Sequence, residues 1–301
     1  MDTIRITGFS TALYSTWFFI EPYKLLLDCG DGACALLGQK SGKVRTIALT
    51  HADRDHLTGL GQFNQLNAAG GKLRIVYPES CGSFPALQTF FDRFDPHVAG
   101  GARWETIANG ERIELDRDLV LEARSNPHKS AGPGETKSVG YRIYRVKRKL
   151  KSQYRGVPGK EIAKLVASHG KSHIEELVDE PLFGFSGDTP VESPTIWDGL
   201  PVLVHESTFL NSDDAGGYQA VHSNLPALME ALATIKLGRL ILSHFSTRYR
   251  ADEIRKAVVD CAHKLSFPHP IWLVLPLEVR RDILLTPPVW PGTDAALSPT
   301  A

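Results

Sequence analysis

At 301 residues, with 42% hydrophobic and 23% charged side chains, the chain can bury a core as one large domain or two small ones, and no apolar run approaches the ~18 residues needed to span a bilayer. Its 34 basic and 34 acidic residues cancel, so a polyanionic partner has to be held by a local basic patch and not by the field of the whole molecule. The start, Met1-Asp2-Thr3-Ile4-Arg5, lacks the basic-then-apolar order of a secretion signal, and Cys29, Cys34, Cys81 and Cys261 show no CxxC spacing; both features point to a reduced, cytoplasmic setting.

In chain order, strand-like stretches at 4–9, 23–28, 46–50, 73–77, 120–124 and 139–145 alternate with helical patterns at 33–39 and 85–94, and residues 57–66 read as the start of another helix. The second half repeats the rhythm. Strands at 182–186, 201–205, 239–243 and 271–275 interleave with helices at 225–235 and 252–265. Two such halves of mixed β and α predict an α/β fold of layered sheets covered by helices. One domain is expected over 1–285, with a basic, arm-like insertion at about 145–175. The tail 286–301, broken by Pro287, Pro288, Pro291 and Pro299, is expected to be unstructured.

The ends of these strands carry the chemistry. His51-Ala52-Asp53-Arg54-Asp55-His56 puts four metal-ligating side chains into six residues between an apolar strand and a helix start. Open α/β sheets place their ligands at such carboxyl ends. Later strands deliver His128, Asp188, His205-Glu206 and His244 in the same way. A single polar residue there reads as a capped strand end or a hydrogen-bonded core histidine; the set beside the first cluster reads as a metal site.

These residues carry a resemblance to the metallo-β-lactamase fold and, within it, to the short-form ribonuclease Z family of tRNA 3′-processing endonucleases. The general marks are Asp28-Cys29-Gly30-Asp31-Gly32, the 51–56 cluster, His128 followed by Val139-Gly140-Tyr141-Arg142-Ile143, and Ser186-Gly187-Asp188-Thr189. Three marks belong to ribonuclease Z. His205-Glu206-Ser207-Thr208 resembles its His-Glu-Ala-Thr motif, His222-Ser223 its His-Ser-Thr motif, and His244-Phe245-Ser246-Thr247-Arg248-Tyr249 a third.

The resemblance implies a four-layer αββα sandwich, a homodimer, precursor tRNA as substrate and two divalent metal ions, zinc in the family. One ion would lie on His51, Asp53 and His128, the other on Asp55, His56 and His244, with Asp188 between them. Asp55 would orient or deprotonate the attacking water, and Glu206 would set His222 to stabilise the phosphate or protonate the leaving oxygen. Asp28 would brace the ligand loop.

Position 53 departs from the family pattern His-x-His-x-Asp-His. An aspartate oxygen can stand nearly where the Nδ1 of that histidine would, so the first metal position need not be lost. Three carboxylates in place of two lower the charge of a dimetal core by one, and the harder oxygen donor admits manganese or iron. A disabled centre holding one metal or none is the competing outcome.

Residues 145–160 are cationic throughout and contain no acid, which predicts a local phosphate-binding surface. Gly156-Val157-Pro158-Gly159 resembles the Gly-Pro element of the family's tRNA-gripping arm. The chain between His128 and Asp188 is short for a long projecting hairpin. Lys147, Arg148, Lys149, Lys151 and Arg248 are the substrate-binding candidates. Two other functions stay open: a hydrolase of a small ester, cyclic nucleotide or lactam, favoured by Asp53, Ser207 and Asn224, and a nucleic-acid-binding protein with a dead metal centre.

Overall fold

In the computed structural model, which describes residues 4–95, 97–98 and 101–293, the first half of the chain builds a six-stranded sheet. β1 (Ile6–Thr11), β2 (Ser15–Ile20) and β3 (Leu25–Leu27) form an antiparallel meander. β4 (Thr46–Ala48), β5 (Arg74–Pro78) and β6 (Arg103–Ile107) extend it in parallel. Parallel neighbours need long crossovers. α1 (Ala33–Leu37) supplies the first, α2 (Arg54–Leu57) with α3 (Leu60–Asn67) the second, and α4 (Ser83–Phe94) the third.

The second half builds a seven-stranded sheet. β7 (Arg112–Asp116), β8 (Leu119–Ser125), β9 (Val139–Leu150) and β10 (Glu175–Phe185) are antiparallel. Between β9 and β10 lie α5 (Gly159–His169) and α6 (Lys171–Ile174). β11 (Leu203–Glu206), β12 (Leu240–Ser243) and β13 (Ile271–Leu273) then run parallel to β10, with α7 (Ser212–Ala215), α8 (Leu225–Leu232) and α9 (Ala251–Leu265) in their crossovers.

Strand alternation sorts the side chains into layers. Leu25, Leu27 and Ala48 of the first sheet meet Tyr141, Ile143, Phe183, Val204 and Ile241 of the second in one buried core. The intervening residues face outward. Leu26 and Ile47 pack under Leu60, Phe63, Phe84 and Phe91 of the helices, while Leu240 and Leu242 pack under Leu228, Met229, Ile254 and Val258. The expected αββα sandwich follows directly from this two-sided burial.

Three strands escaped pattern reading, for different reasons. β2 is buried at every position, so its Ser-Thr-Trp-Phe-Phe-Ile shows no alternation. β6 and β7 lie at sheet edges and are largely polar. Part of the basic insertion is sheet, and the tail departs from expectation. Beyond Arg145, β9 has left β8 and continues with β10 as a two-stranded ribbon, because the strands themselves extend into the insertion. The tail does not become structureless at 286: Val289 N donates to the Ile271 carbonyl and Trp290 Nε1 to that of Phe267, both at 2.8 Å. Residues 294–301 lie outside the described residues.

Candidate metal centre

Within each sheet, the strands that end at the site run the same way. β3, β4, β8, β10, β11 and β12 each finish in the crevice where the two sheets meet, delivering in turn Asp28, the 50–56 segment, the loop to His128, Asp188, Glu206 and His244. Asp28 (φ 55°) and His244 (φ 61°) leave their strands in the left-handed region, an uncommon conformation for residues with a Cβ. At Gly187 (φ 59°), a Cβ would stand 2.8 Å from the Val139 carbonyl, so the turn that aims Asp188 needs glycine.

The ligand atoms converge. His51, Asp53 and His128 bring one atom each to within 4.8 Å of one another, and Asp55, His56 and His244 do the same. In the first group Asp53 Oδ2 stands 3.5 Å from both His51 Nε2 and His128 Nε2. In the second, Asp55 Oδ2 lies 3.6 Å from His56 Nε2 and 3.7 Å from His244 Nε2. Asp188 Oδ2 reaches both groups, at 3.3 Å from His56 and His244 and 3.9 Å from His51.

The donor chemistry fits divalent metal. The Nε2 atoms of His51, His56 and His244 are buried and have no hydrogen-bond partner, a costly arrangement unless something else takes their lone pairs. Their other ring nitrogens are all engaged, which fixes Nε2 as the free atom. His51 Nδ1 donates to Thr50 Oγ1 (2.9 Å), His56 Nδ1 to Asp28 Oδ2 (2.7 Å), His128 Nδ1 to the Val221 carbonyl (2.9 Å) and His244 Nδ1 to Thr208 Oγ1 (3.0 Å). Imidazoles with carboxylates, so oriented, suit zinc and its neighbours.

Burial and charge set the protonation. Burial, aided by the His56 ring, pushes His51 down to about 4, leaving it neutral. Burial opposes the charge on Asp55, yet the His56 and His244 rings beside it hold its carboxyl at about 2. Asp53 is likewise held well below the usual range against its burial, by His128, His51 and Lys129. For His222 burial favours the neutral ring, but its 2.9 Å hydrogen bond to Glu206 prevails and lifts it to about 8.

Residues 23–151 match the Beta-lactamase superfamily domain. The chain is 33% identical to tRNase Z TRZ1 of Arabidopsis thaliana, an alignment that covers 84% of this chain and 89% of that protein. It belongs to the ribonuclease Z family. Chloroplastic tRNase Z TRZ2 of the same plant is 28% identical, over 88% of this chain and 74% of its own length. Among solved structures, human tRNase Z, short form, superposes with a TM-score of 0.59 at 16% identity, covering 93% of this chain and 99% of the human one, which shows the shared fold.

The ribonuclease Z marks divide in two. His222 and Glu206 join the centre: His222 Nδ1 lies 4.0 Å from Asp188 Oδ2 and Glu206 stands behind it. His205, one residue earlier on β11, faces the opposite way and is boxed by Trp197, its Nδ1 donating to the Glu206 carbonyl. Arg248 rests over the Phe209 ring at 5.4 Å, and that ring meets His222 edge-on at 6.3 Å.

The basic segment does not reach the centre. β10 ends at the centre, so its start and the ribbon beside it lie at the far end of the sheet, ~33 Å away for an eleven-residue strand. Nor is the segment uncompensated. Lys147 pairs with Glu180 at 2.7 Å and Arg148 with Glu175 at 3.8 Å, Lys149 faces Glu176 across the ladder, and Lys151 donates to the His173 carbonyl. The acids sit on the neighbouring strand, where reading the basic stretch alone could not find them. Thr50 and Lys129 also enter the site with no sequence signal beyond adjacency to a candidate ligand, and Thr208, part of the His205–Thr208 motif, enters as the link between Glu206 and His244.

Proposed function

We propose that this chain is a metal-dependent endoribonuclease of the ribonuclease Z type that removes the 3′ trailer of precursor tRNA. The observation that carries the reading is the pair of three-residue ligand groups joined at Asp188, with His222 backed by Glu206 beside them. His51, Asp53 and His128 would hold one divalent ion and Asp55, His56 and His244 the other. Zinc is the expected metal, and the oxygen of Asp53 admits manganese or iron. When bound, such a pair polarises a phosphoryl oxygen and acidifies water.

The chain's own residues supply the proton traffic. Asp55, ionised at neutral pH, orients the attacking water and accepts its proton. His222, largely protonated at neutral pH, donates to the leaving 3′-oxygen while Glu206 keeps its ring in place. Arg248, next to His222 through Phe209, would take a phosphate near the scissile one. Lys147, Arg148, Lys149 and Lys151 on the distant ribbon would contact RNA well away from the cut, which suits a substrate of tRNA size. The enzyme would act as a homodimer, carried over from the family, and in a reduced, cytoplasmic setting, in keeping with its four scattered cysteines.

The test is incubation of purified protein with a 3′-extended tRNA transcript and with bis-p-nitrophenyl phosphate, under zinc and manganese separately. Cleavage leaving a 3′-hydroxyl at the end of the mature tRNA is expected. Diester hydrolysis without tRNA cleavage would move the assignment to a small-substrate hydrolase.

A further inference from the structure

Lys129 follows His128 in the loop after β8, and its ammonium reaches into the metal centre. Nζ lies 2.7 Å from Asp53 Oδ2. That oxygen is the same one that stands 3.5 Å from both His51 Nε2 and His128 Nε2. The ammonium and any cation held by His51, Asp53 and His128 therefore address a single atom. The loop geometry supports the contact, since the Lys129 backbone N–H donates to Ser138 Oγ at 3.1 Å, and Ser138 Oγ donates in turn to Asn126 Oδ1 at 2.7 Å. The side chains of Lys129 and Asp53 are 37% and 40% exposed, so solvent screens the pair in part, but the ammonium sits at hydrogen-bond distance from a prospective ligand.

Charge counting gives this contact a meaning. A histidine at position 53 would bring no charge, whereas Asp53 brings one negative charge and Lys129 one positive. We propose that Asp53 and Lys129 together replace the family's histidine as a neutral unit, and that Lys129 sets the affinity and metal preference of the first position. The extra carboxylate then does not lower the charge of the core by one, as the sequence suggested, because Lys129 cancels it. What remains of the exchange is a harder donor atom, competed for by a resident cation. The inference rests on the metal-centre part of the proposed function and is independent of the RNA substrate.

A double-mutant cycle read by metal binding tests it. Chelator-stripped protein is titrated calorimetrically with zinc and, separately, with manganese, and bound metal is counted by elemental mass spectrometry. K129M frees the Asp53 oxygen and should tighten the weaker of the two positions about tenfold for both metals. D53H leaves the ammonium against three neutral imidazoles and should loosen it by roughly 10–100-fold, the range found when groups supporting a ligand are changed. The double variant D53H/K129M should return to within about threefold of the parent for zinc, and should favour zinc over manganese more than the parent does, since coupled neighbours do not add. A D53H protein that binds as tightly as the double variant, or a K129M protein that binds no tighter than the parent, would overturn the proposal. K129R keeps the charge and should behave as the parent does. If D53H fails to fold by circular dichroism, K129M against K129R alone decides. No arm of the test reads RNA cleavage, so a wrong substrate assignment would leave the result standing.

Discussion

The two halves of the molecule build the candidate metal centre with the same device and differ in how far its rings stand open. In the first, the buried Asp28 carboxylate accepts from the Thr50 backbone N–H, the Thr50 hydroxyl and His56 Nδ1, and that hydroxyl takes the Nδ1–H of His51. In the second, Glu206 accepts from the backbone N–H groups of Thr189 and Thr208, from the Thr208 hydroxyl and from His222 Nδ1, and Thr208 takes the Nδ1–H of His244. Each half thus has a carboxylate, a threonine and two histidines. The difference is exposure. Both histidines of the first relay are fully buried, whereas His222 keeps 15% of its side chain open. A sealed ring can only hold a ligand in position; a ring that stays open can also give up a proton.

The largest expected effect breaks the second relay. His222→Ala and Glu206→Ala should each lower turnover on precursor tRNA by roughly 10²–10⁴-fold, with the double variant little worse than the worse single, because the two act as a unit. Multiplicative losses would separate them. Metal content should be unchanged in His222→Ala, whereas Glu206→Ala also takes the acceptor from Thr208 behind His244 and should weaken metal binding. The same relay fixes a pH limb. With the protonated ring proposed as the active form and its value raised, activity should hold below about 8 and fall as pH climbs through it. Glu206→Gln removes the charge that lifts the ring and should move that limb to lower pH; a limb that stays put would assign it to another group.

Breaking the first relay should instead strike the metal. Asp28→Ala leaves His56 Nδ1 and the Thr50 N–H without their acceptor, so metal affinity should fall by roughly 10–100-fold. The unmet buried donors should also destabilise the fold by about 1–3 kcal/mol in thermal unfolding. At saturating metal, turnover should largely recover. Failure to recover would mean that Asp28 does more than brace the ligands and takes part in the chemistry itself.

The smallest effect concerns the ribbon. Replacing Lys147, Arg148, Lys149 and Lys151 with alanine should raise KM for precursor tRNA and flatten its salt dependence, while bis-p-nitrophenyl phosphate hydrolysis stays as it was. The cross-strand acids at Glu175, Glu176 and Glu180 already offset part of this charge, so the rise should be modest. Equal losses on both substrates would point to folding damage instead.

The candidate ligands were readable before any fold, because each is a polar residue handed over by an apolar strand, and parallel strands all hand over at one end. His51, His128, Asp188 and His244 follow that rule and meet where it says they should. So did the layered α/β architecture, since both-sided burial makes the central strands continuously apolar. The chain's family followed from motifs such as His244 to Tyr249. What sequence order could not hold was who stands beside whom across long separations. His128 is oriented by a carbonyl at Val221, Thr208 joins Glu206 to His244, and the basic strand lies against an acidic one. Lys129 is the sharpest case. Its neighbour in the chain is a candidate ligand, but only the closing of the loop after β8 onto the 51–56 segment brings its ammonium to Asp53. Side-chain type and strand ends decide which groups a centre can contain; the packing of two sheets against each other decides which of those groups touch.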